Sequence, residues 1–192
     1  MANTYSQLYI QIIFAVRGRE NLIKESFRNE VEKYICGIVN SKGSKVLAIY
    51  SNPDHTHILI GLNPSVSISD LARDIKSNSS KWINTKKFSA KKFNWQEGFG
   101  AFTYSKSQIN RVAKYILNQK EHHEKRSFRK EYIEILDNLG IEYNDKYLFE
   151  WYKEDIKNNG NIRYRSAGAF INYHALSYKD YAPLEHSFRK YI

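Results

Sequence analysis

Residues 45–62 read KVLAIYSNPDHTHILIGL, and this stretch decides the fold. Two apolar runs, 45–51 and 55–62, are rich in β-branched residues and flank the tripeptide Asn52-Pro53-Asp54. β-Branched residues favour strands, whereas Pro and Asp favour turns. The stretch therefore predicts two neighbouring antiparallel strands joined by a short turn.

The segments on either side of this hairpin complete the pattern. Before it, residues 7–16 read as a buried strand, and the apolar spacing from Asn21 to Asn40 predicts a helix. After it, a second helix is predicted over about 67–84, then a strand within 93–104 that bends at its glycines. The order β-α-β-β-α-β predicts an α+β, ferredoxin-like (split βαβ) antiparallel sheet. Its helices would cover one face and leave the other face free for chemistry.

Two further helices are predicted after the sheet, over about 105–122 and within 127–139. The last segment, 153–192, has no clear hydrophobic period. We therefore expect one domain over 1–152 and a C-terminal extension, 153–192, of unknown structure.

Composition narrows the class of protein. Hydrophobic residues make up 42% of the 192-residue chain, which argues against disorder. No apolar run approaches the roughly 18 residues of a membrane span, and the lone Cys36 excludes a disulfide framework. The 30 Lys and Arg outnumber the 20 Asp and Glu, and the resulting net charge of +10 attracts phosphate. We expect a soluble, cytoplasmic protein with no membrane partner, and the charge favours nucleic acid as its ligand.

His55 and His57 form the first candidate site. Residues i and i+2 of a strand point to the same face, so the two imidazoles project side by side. Such a pair can hold one divalent cation through a nitrogen each. The same pair can equally form ordinary hydrogen bonds on a half-exposed sheet face.

Tyr115 and Gln119 form the second candidate site. They lie one helical turn apart and away from the apolar face of the helix predicted around them. A phenol can attack phosphorus, and a carboxamide oxygen can serve as a third ligand of a hard cation. The alternative is an amphipathic tyrosine on the surface beside a solvated glutamine.

Taken together, these pieces resemble the single-tyrosine HUH transposases of small insertion sequences and their REP-associated relatives. The matching segments, over about residues 3–152, are Asp54-His55-Thr56-His57, Trp95–Phe102, Tyr115–Gln119, Glu121–His123 and Ser127-Phe128. Thr56 departs from the pattern, because the middle position of the pair is usually strongly apolar.

The resemblance implies a metal-dependent DNA strand transferase. His55, His57 and Gln119 would hold Mg²⁺ or Mn²⁺, and Tyr115, on the added C-terminal helix, would attack the scissile phosphate to leave a 5′-phosphotyrosine. Members of the family are homodimers that cleave single-stranded DNA beside imperfect hairpins, and each active site takes its tyrosine helix from the other subunit.

Basic residues near these segments are the expected contacts to the DNA backbone. They are Arg17, Arg19, Arg73, Lys76, Lys81, Lys86, Lys87, Arg111 and Lys114. A solvated charged face is the alternative for the segment 73–92, and a plain β-turn is the alternative for Arg17 and Arg19. His122 and His123 could bind metal or DNA, but we expect them to cap the end of a helix.

Three other functions fit parts of the sequence. A replication-initiator or relaxase-type nickase shares the paired histidines, although such proteins usually carry further domains or a second tyrosine. A non-catalytic ferredoxin-like module could bind RNA on exposed strand aromatics without any metal. A domesticated REP-type protein could cleave hairpins without mobilising an element.

Overall fold

The computed structural model describes residues 5–124 and 126–149. Its strands and helices are β1 Tyr9–Ala15, α1 Glu25–Ser41, β2 Lys45–Ser51, β3 His55–Gly61, α2 Ile68–Thr85, β4 Gly100–Tyr104, α3 Ile109–Leu117, α4 Gln119–His123 and α5 Phe128–Asn138. The predicted domain boundary at 152 and the predicted extension, 153–192, lie outside the described residues.

The four strands form one antiparallel sheet in the order β2-β3-β1-β4. This confirms the predicted α+β ferredoxin-like fold. The central strands β1 and β3 pair in a register that sets Ile12 opposite Ile58 and Ile13 opposite His57. Because side chains alternate along a strand, Ile12 and Ile58 point to one face while Ile13 and His57 point to the other.

The first face packs against α1 and α2. Ile12, Phe14 and Ile58 of the sheet join Val31 of α1 and Ile75 of α2 in one apolar cluster. Both helices were expected here from their apolar periodicity, and their burial supplies the main core of the protein.

The second face is covered as well, so the expectation that it would be free is wrong. Leu59 packs against α3, and Ile13 packs against α5, in two separate apolar clusters. Each of these helices has its own apolar side, which is buried only when the helix lies across the sheet. Any site on this face would therefore lie between the sheet and these helices.

Two predicted elements differ in extent. The helix predicted over 105–122 consists of a 3₁₀ turn at Lys106–Gln108, then α3, then α4, with Asn118 between the last two. Asn is a weak helix former because its side chain competes for the backbone. The strand predicted within 93–104 is regular only in β4, and Trp95 makes a single bridge to Val16.

Gly100 brings α5 close to the sheet. A Cβ atom at this position would lie 2.7 Å from the Tyr132 hydroxyl oxygen and 2.9 Å from a carbon of its ring. Only glycine leaves room for that ring, so Gly100 sets how closely α5 approaches β4. Over the residues that the structure describes, no helix combines the length and apolar character needed to cross a membrane.

Candidate active site

The paired histidines of β3 are buried beneath α3 and α5. His55 and His57 expose 1% and 0% of their surface, and their ring centroids lie 5.1 Å apart. Burial lowers the pKa of both imidazoles below the ordinary value, which favours their neutral forms. A neutral imidazole keeps a lone pair for a metal ion.

His55 is oriented by Asp54. Its Nδ1 lies 2.7 Å from Oδ1 of Asp54, and the other carboxylate oxygen accepts a hydrogen bond of 2.7 Å from Nε of Arg19. Burial would raise the pKa of Asp54, but the hydrogen bond from His55 and the charge of Arg19 outweigh it and hold that pKa well below its usual range. With Nδ1 donating to a carboxylate, Nε2 of His55 keeps its lone pair, which accepts a 2.9 Å hydrogen bond from Nδ2 of Asn52.

His57 has a comparable partner in β1. Its Nδ1 lies 3.0 Å from Nε2 of Gln11, and Oε1 of Gln11 accepts a 2.8 Å hydrogen bond from the Tyr104 hydroxyl. A carboxamide can present either end to the ring. Turning the Gln11 carboxamide over would place its oxygen there, and Nδ1 of His57 would then donate. Nε2, which is buried and has no hydrogen-bond partner in the described part of the chain, is then free to bind a cation.

Two residues that were not among the predicted ligands complete the cluster. His123 of α4, expected to cap a helix end, places its Nε2 3.0 Å from Nε2 of His55 and 2.9 Å from Oε2 of Glu131. Glu131 of α5 is 2% exposed, and burial raises its pKa well above the usual range. One ligand atom from each of His55, His57, His123 and Glu131 lies within 4.8 Å of the others.

Tyr115 lies beside this cluster. Its hydroxyl donates a hydrogen bond to Oε1 of Glu131, the same oxygen that lies 3.7 Å from Nε2 of His57. The ring centroids of Tyr115 and His57 are 6.2 Å apart. The phenol and the paired imidazoles therefore meet within one chain.

Gln119 also reaches the cluster, although its carboxamide is already engaged. Its Nε2 donates to Oε1 of Glu131 at 2.7 Å, and its Oε1 accepts from Nδ2 of Asn52 at 3.1 Å. The side chain is completely buried. The structure thus brings all four predicted site residues together around Glu131.

The donor set fits a divalent cation. His123 Nδ1 lies 3.1 Å from the carbonyl oxygen of Arg126, so its Nε2, like that of His55, faces inward as a lone pair. Two such lone pairs at 3.0 Å repel each other unless a proton or a cation lies between them. Three imidazoles and a carboxylate, each oriented by an outer partner, are typical ligands of transition-metal ions.

The predicted DNA contacts fall into three groups. Arg19 is 4% exposed and its guanidinium binds Asp54, so it orients the site instead of facing DNA, and that prediction is corrected. Arg17, in the turn after β1, and Arg111 and Lys114 of α3 are exposed. The remaining five belong to α2 and the turn after it, on the opposite face of the sheet: Arg73, Lys76, Lys81, Lys86 and Lys87.

Some of this third group have internal partners. Arg73 pairs with Asp70 at 2.7 Å, although it stays largely exposed. Lys76 donates to the carbonyl oxygen of Gly98 at 2.7 Å, and burial lowers its pKa.

A search of curated proteins finds no match. Among solved structures, a protein from Deinococcus radiodurans R1 described as a transposase is 21% identical, with a TM-score of 0.49 over 62% of this chain and 95% of that one. A REP-associated tyrosine transposase bound to a REP hairpin is 16% identical, with a TM-score of 0.49 over 64% of this chain and 73% of that one.

The family assignment comes from sequence. The model of the family described as "Transposase IS200 like" matches residues 4–119, which is more than half of the chain. The match includes the paired histidines, Tyr115 and Gln119, and it ends before His123 and Glu131. This chain belongs to the IS200-like transposase family.

Proposed function

We propose that this transposase cleaves and rejoins single-stranded DNA at hairpin-flanked ends through a 5′-phosphotyrosine intermediate, with the help of a divalent metal ion. One observation carries the proposal. The Tyr115 hydroxyl and three inward-facing imidazoles converge on the buried carboxylate of Glu131. A nucleophile next to a metal-ligand set is the arrangement that phosphoryl transfer needs.

The proposed ligands are His55, His57, His123 and Glu131, with Gln119 at the edge of the set. We propose Mg²⁺ or Mn²⁺ as the ion, and the three imidazoles favour Mn²⁺ because Mg²⁺ prefers oxygen ligands. When bound, the ion polarises the scissile phosphate and neutralises the charge that develops on it.

The residues of the chain position the nucleophile and favour its deprotonation. Glu131 accepts the hydrogen bond of the Tyr115 hydroxyl and so fixes the position of the attacking oxygen. The Tyr115 oxygen forms a bond to phosphorus while the bond from phosphorus to the 3′ oxygen breaks. The phenol proton passes to the Glu131 carboxylate that accepts its hydrogen bond, and the departing 3′ oxygen takes up a proton from water. Arg111 and Lys114 add positive charge on the helix of the nucleophile, which favours the phenolate.

Rejoining is the same reaction in reverse, because one phosphoester replaces another. A free 3′ hydroxyl attacks the phosphotyrosine and releases Tyr115, so no nucleotide energy source is required. We propose a homodimer for the joining of two DNA ends, and the contacts of Tyr115 support an active site in which each chain uses its own tyrosine.

The test uses labelled single-stranded hairpin DNA incubated with Mn²⁺ and analysed on a denaturing gel. We expect a covalent protein–DNA adduct that is absent in Tyr115→Phe and in the presence of a chelator. His57→Ala should abolish cleavage while it leaves hairpin affinity within several-fold of wild type. Binding without any adduct, unchanged by the chelator, would instead identify a non-catalytic nucleic-acid-binding module.

A further inference from the structure

A buried glutamine lies in the middle of the central strand β1. Gln11 is 1% exposed, and its neighbours along the strand are isoleucines. It shares a sheet face with Ile13, because side chains two residues apart on a strand point the same way. Burial of a carboxamide is unfavourable unless both of its ends form hydrogen bonds. Gln11 therefore needs polar partners on this face.

Both ends of Gln11 have partners on the strands beside β1. Its Nε2 lies 3.0 Å from Nδ1 of His57 on β3, and its Oε1 accepts a 2.8 Å hydrogen bond from the Tyr104 hydroxyl on β4. The three side chains thus form a row across β3, β1 and β4. Burial raises the pKa of Tyr104 to about 12, so its hydroxyl keeps its proton near neutral pH. A neutral hydroxyl can either donate or accept a hydrogen bond.

This row has two consistent hydrogen-bond arrangements. In the first, the Gln11 amide group donates to Nδ1 of His57 and the Tyr104 hydroxyl donates to the Gln11 oxygen. In the second, the carboxamide is turned over, so that its oxygen accepts from Nδ1 of His57 and its amide group donates to the Tyr104 oxygen. The turn exchanges the two ends of one carboxamide and moves no other heavy atom.

The two arrangements differ at the candidate metal cluster. A neutral imidazole carries one proton, so Nε2 of His57 has that proton in the first arrangement and a lone pair in the second. This Nε2 is buried, lies 3.7 Å from Oε1 of Glu131, and has no hydrogen-bond partner among the described residues. Only the lone pair can bind a cation. The orientation of Gln11 therefore decides whether His57 is a ligand.

We propose that Gln11 is a positioning residue that sets which nitrogen of His57 carries the proton, and that Tyr104 stabilises the metal-binding arrangement through Gln11. The inference rests on the metal site of the function proposed above. Without metal, the amide group of Gln11 faces His57, and Mn²⁺ binding is coupled to the turn of the carboxamide.

The first experiment measures Mn²⁺ affinity by isothermal titration calorimetry. Gln11→Met keeps the length of the side chain and removes both hydrogen-bonding ends. Its affinity should fall at least about tenfold, as expected when a metal-binding histidine loses its outer partner. Gln11→Glu presents only acceptor oxygens to His57 and should bind Mn²⁺ at least as tightly as wild type. A loss in one variant and its rescue in the other separate orientation of the imidazole from packing.

Tyr104→Phe tests the far end of the row. It keeps the ring, removes the hydroxyl, and should weaken Mn²⁺ binding several-fold. In the Gln11→Met background the same change should weaken binding no further, because the hydroxyl acts only through Gln11. Tyr34→Phe is the matched control, since Tyr34 is a half-buried tyrosine of α1, and it should bind Mn²⁺ like wild type.

The second experiment observes His57 directly. ¹⁵N NMR of the imidazole rings distinguishes a nitrogen that carries a proton from one that carries a lone pair. The His57 signals are assigned by their absence in His57→Ala. In the metal-free wild type the proton should be at Nε2, and in metal-free Gln11→Glu it should be at Nδ1. A purely structural role of Gln11 would leave the proton on the same nitrogen in both proteins.

Two results would overturn the proposal. Gln11→Met could bind Mn²⁺ as tightly as wild type, or the proton of His57 could be on the same nitrogen in wild type and Gln11→Glu. If Gln11→Met fails to fold, the NMR comparison with Gln11→Glu decides alone. In each of these cases wild type still binds Mn²⁺, so the proposed function stands. A wild-type protein that binds no divalent cation overturns both proposals.

Discussion

Tyr115 and Glu131 are sixteen residues apart on different helices, yet the tyrosine hydroxyl donates a hydrogen bond to the buried carboxylate. The same carboxylate lies against His57 and His123. Glu131 therefore links the proposed nucleophile to the candidate metal ligands, and it lies outside the segment that matches the family model.

The first prediction concerns Glu131 as a ligand. Glu131→Gln should lower Mn²⁺ affinity at least about tenfold, because the neutral amide is a weaker ligand, and should slow adduct formation. Isothermal titration calorimetry measures the affinity. Glu134→Gln, on the same helix, is the control and should bind Mn²⁺ like wild type. Unchanged affinity in Glu131→Gln would leave His55, His57 and Gln119 as the ligand set.

The second prediction concerns acid stability in the presence of a chelator. Burial lowers the pKa of His57 well below its ordinary value of 6.5 and that of His123 to about 3. Below about pH 6.5 the unfolded chain therefore binds more protons at these histidines than the folded chain does. The stability that the neutral imidazoles contribute above that pH is lost as the pH falls to the pKa values of the folded protein.

Glu131 has the opposite effect on the pH dependence of the free energy of unfolding. Burial raises its pKa, so its contribution is present below about pH 4.5 and is lost as pH rises through the folded pKa. Glu131→Gln removes this opposing effect. The free energy of unfolding, measured by denaturant titration, should fall between pH 7.5 and 5, and it should fall more steeply in Glu131→Gln. A shallower fall of the free energy of unfolding in Glu131→Gln would contradict the raised pKa of Glu131.

The third prediction separates two basic surfaces. Arg111→Ala and Lys114→Ala should each weaken hairpin binding and reduce the salt dependence of the affinity, by about one unit of slope per lost phosphate contact. Lys81→Ala and Lys86→Ala, on the layer opposite the site, should have smaller effects. Fluorescence anisotropy at several salt concentrations measures both quantities. If Lys81→Ala and Lys86→Ala had the larger effects, the surface of α2 would be the one that contacts the DNA backbone.

The fourth prediction tests the packing of α5. Gly100→Ala should destabilise the protein by about 1–3 kcal/mol, because the added methyl overlaps the Tyr132 ring. Displacement of α5 would also move Glu131, so the variant should form adduct more slowly. Gly37→Ala is the matched control, since nothing lies within 4 Å of its added methyl inside α1. Replacing a helical glycine there should stabilise by about 0.5–1 kcal/mol. Thermal denaturation compares the two variants.

The fold, and His55 and His57 of the cluster, could be predicted because they depend on patterns within short stretches of sequence. Strand alternation alone directs His55 and His57 to one face, and the apolar period of α3 leaves Tyr115 off its core-facing side. The order of elements then gives the sheet topology without any tertiary information.

The remaining site residues depend on contacts between distant segments. Glu131 belongs to no motif, and its one signal is its position between Phe128 and Tyr132 on the apolar side of α5. Arg19 reads as a solvent-exposed turn residue, and only the approach of Asp54 and the Phe128 ring explains its burial. A charge pair of this kind cannot be inferred from residue spacing.

The meeting of Tyr115 with His57 inside a single chain has a genetic consequence. In the proposed active site, a protein that lacks the phenol and a protein that lacks the imidazole would each be defective, and neither could supply the missing group to the other. Complementation between two such alleles would then fail, because activity would require both groups to be intact in the same chain.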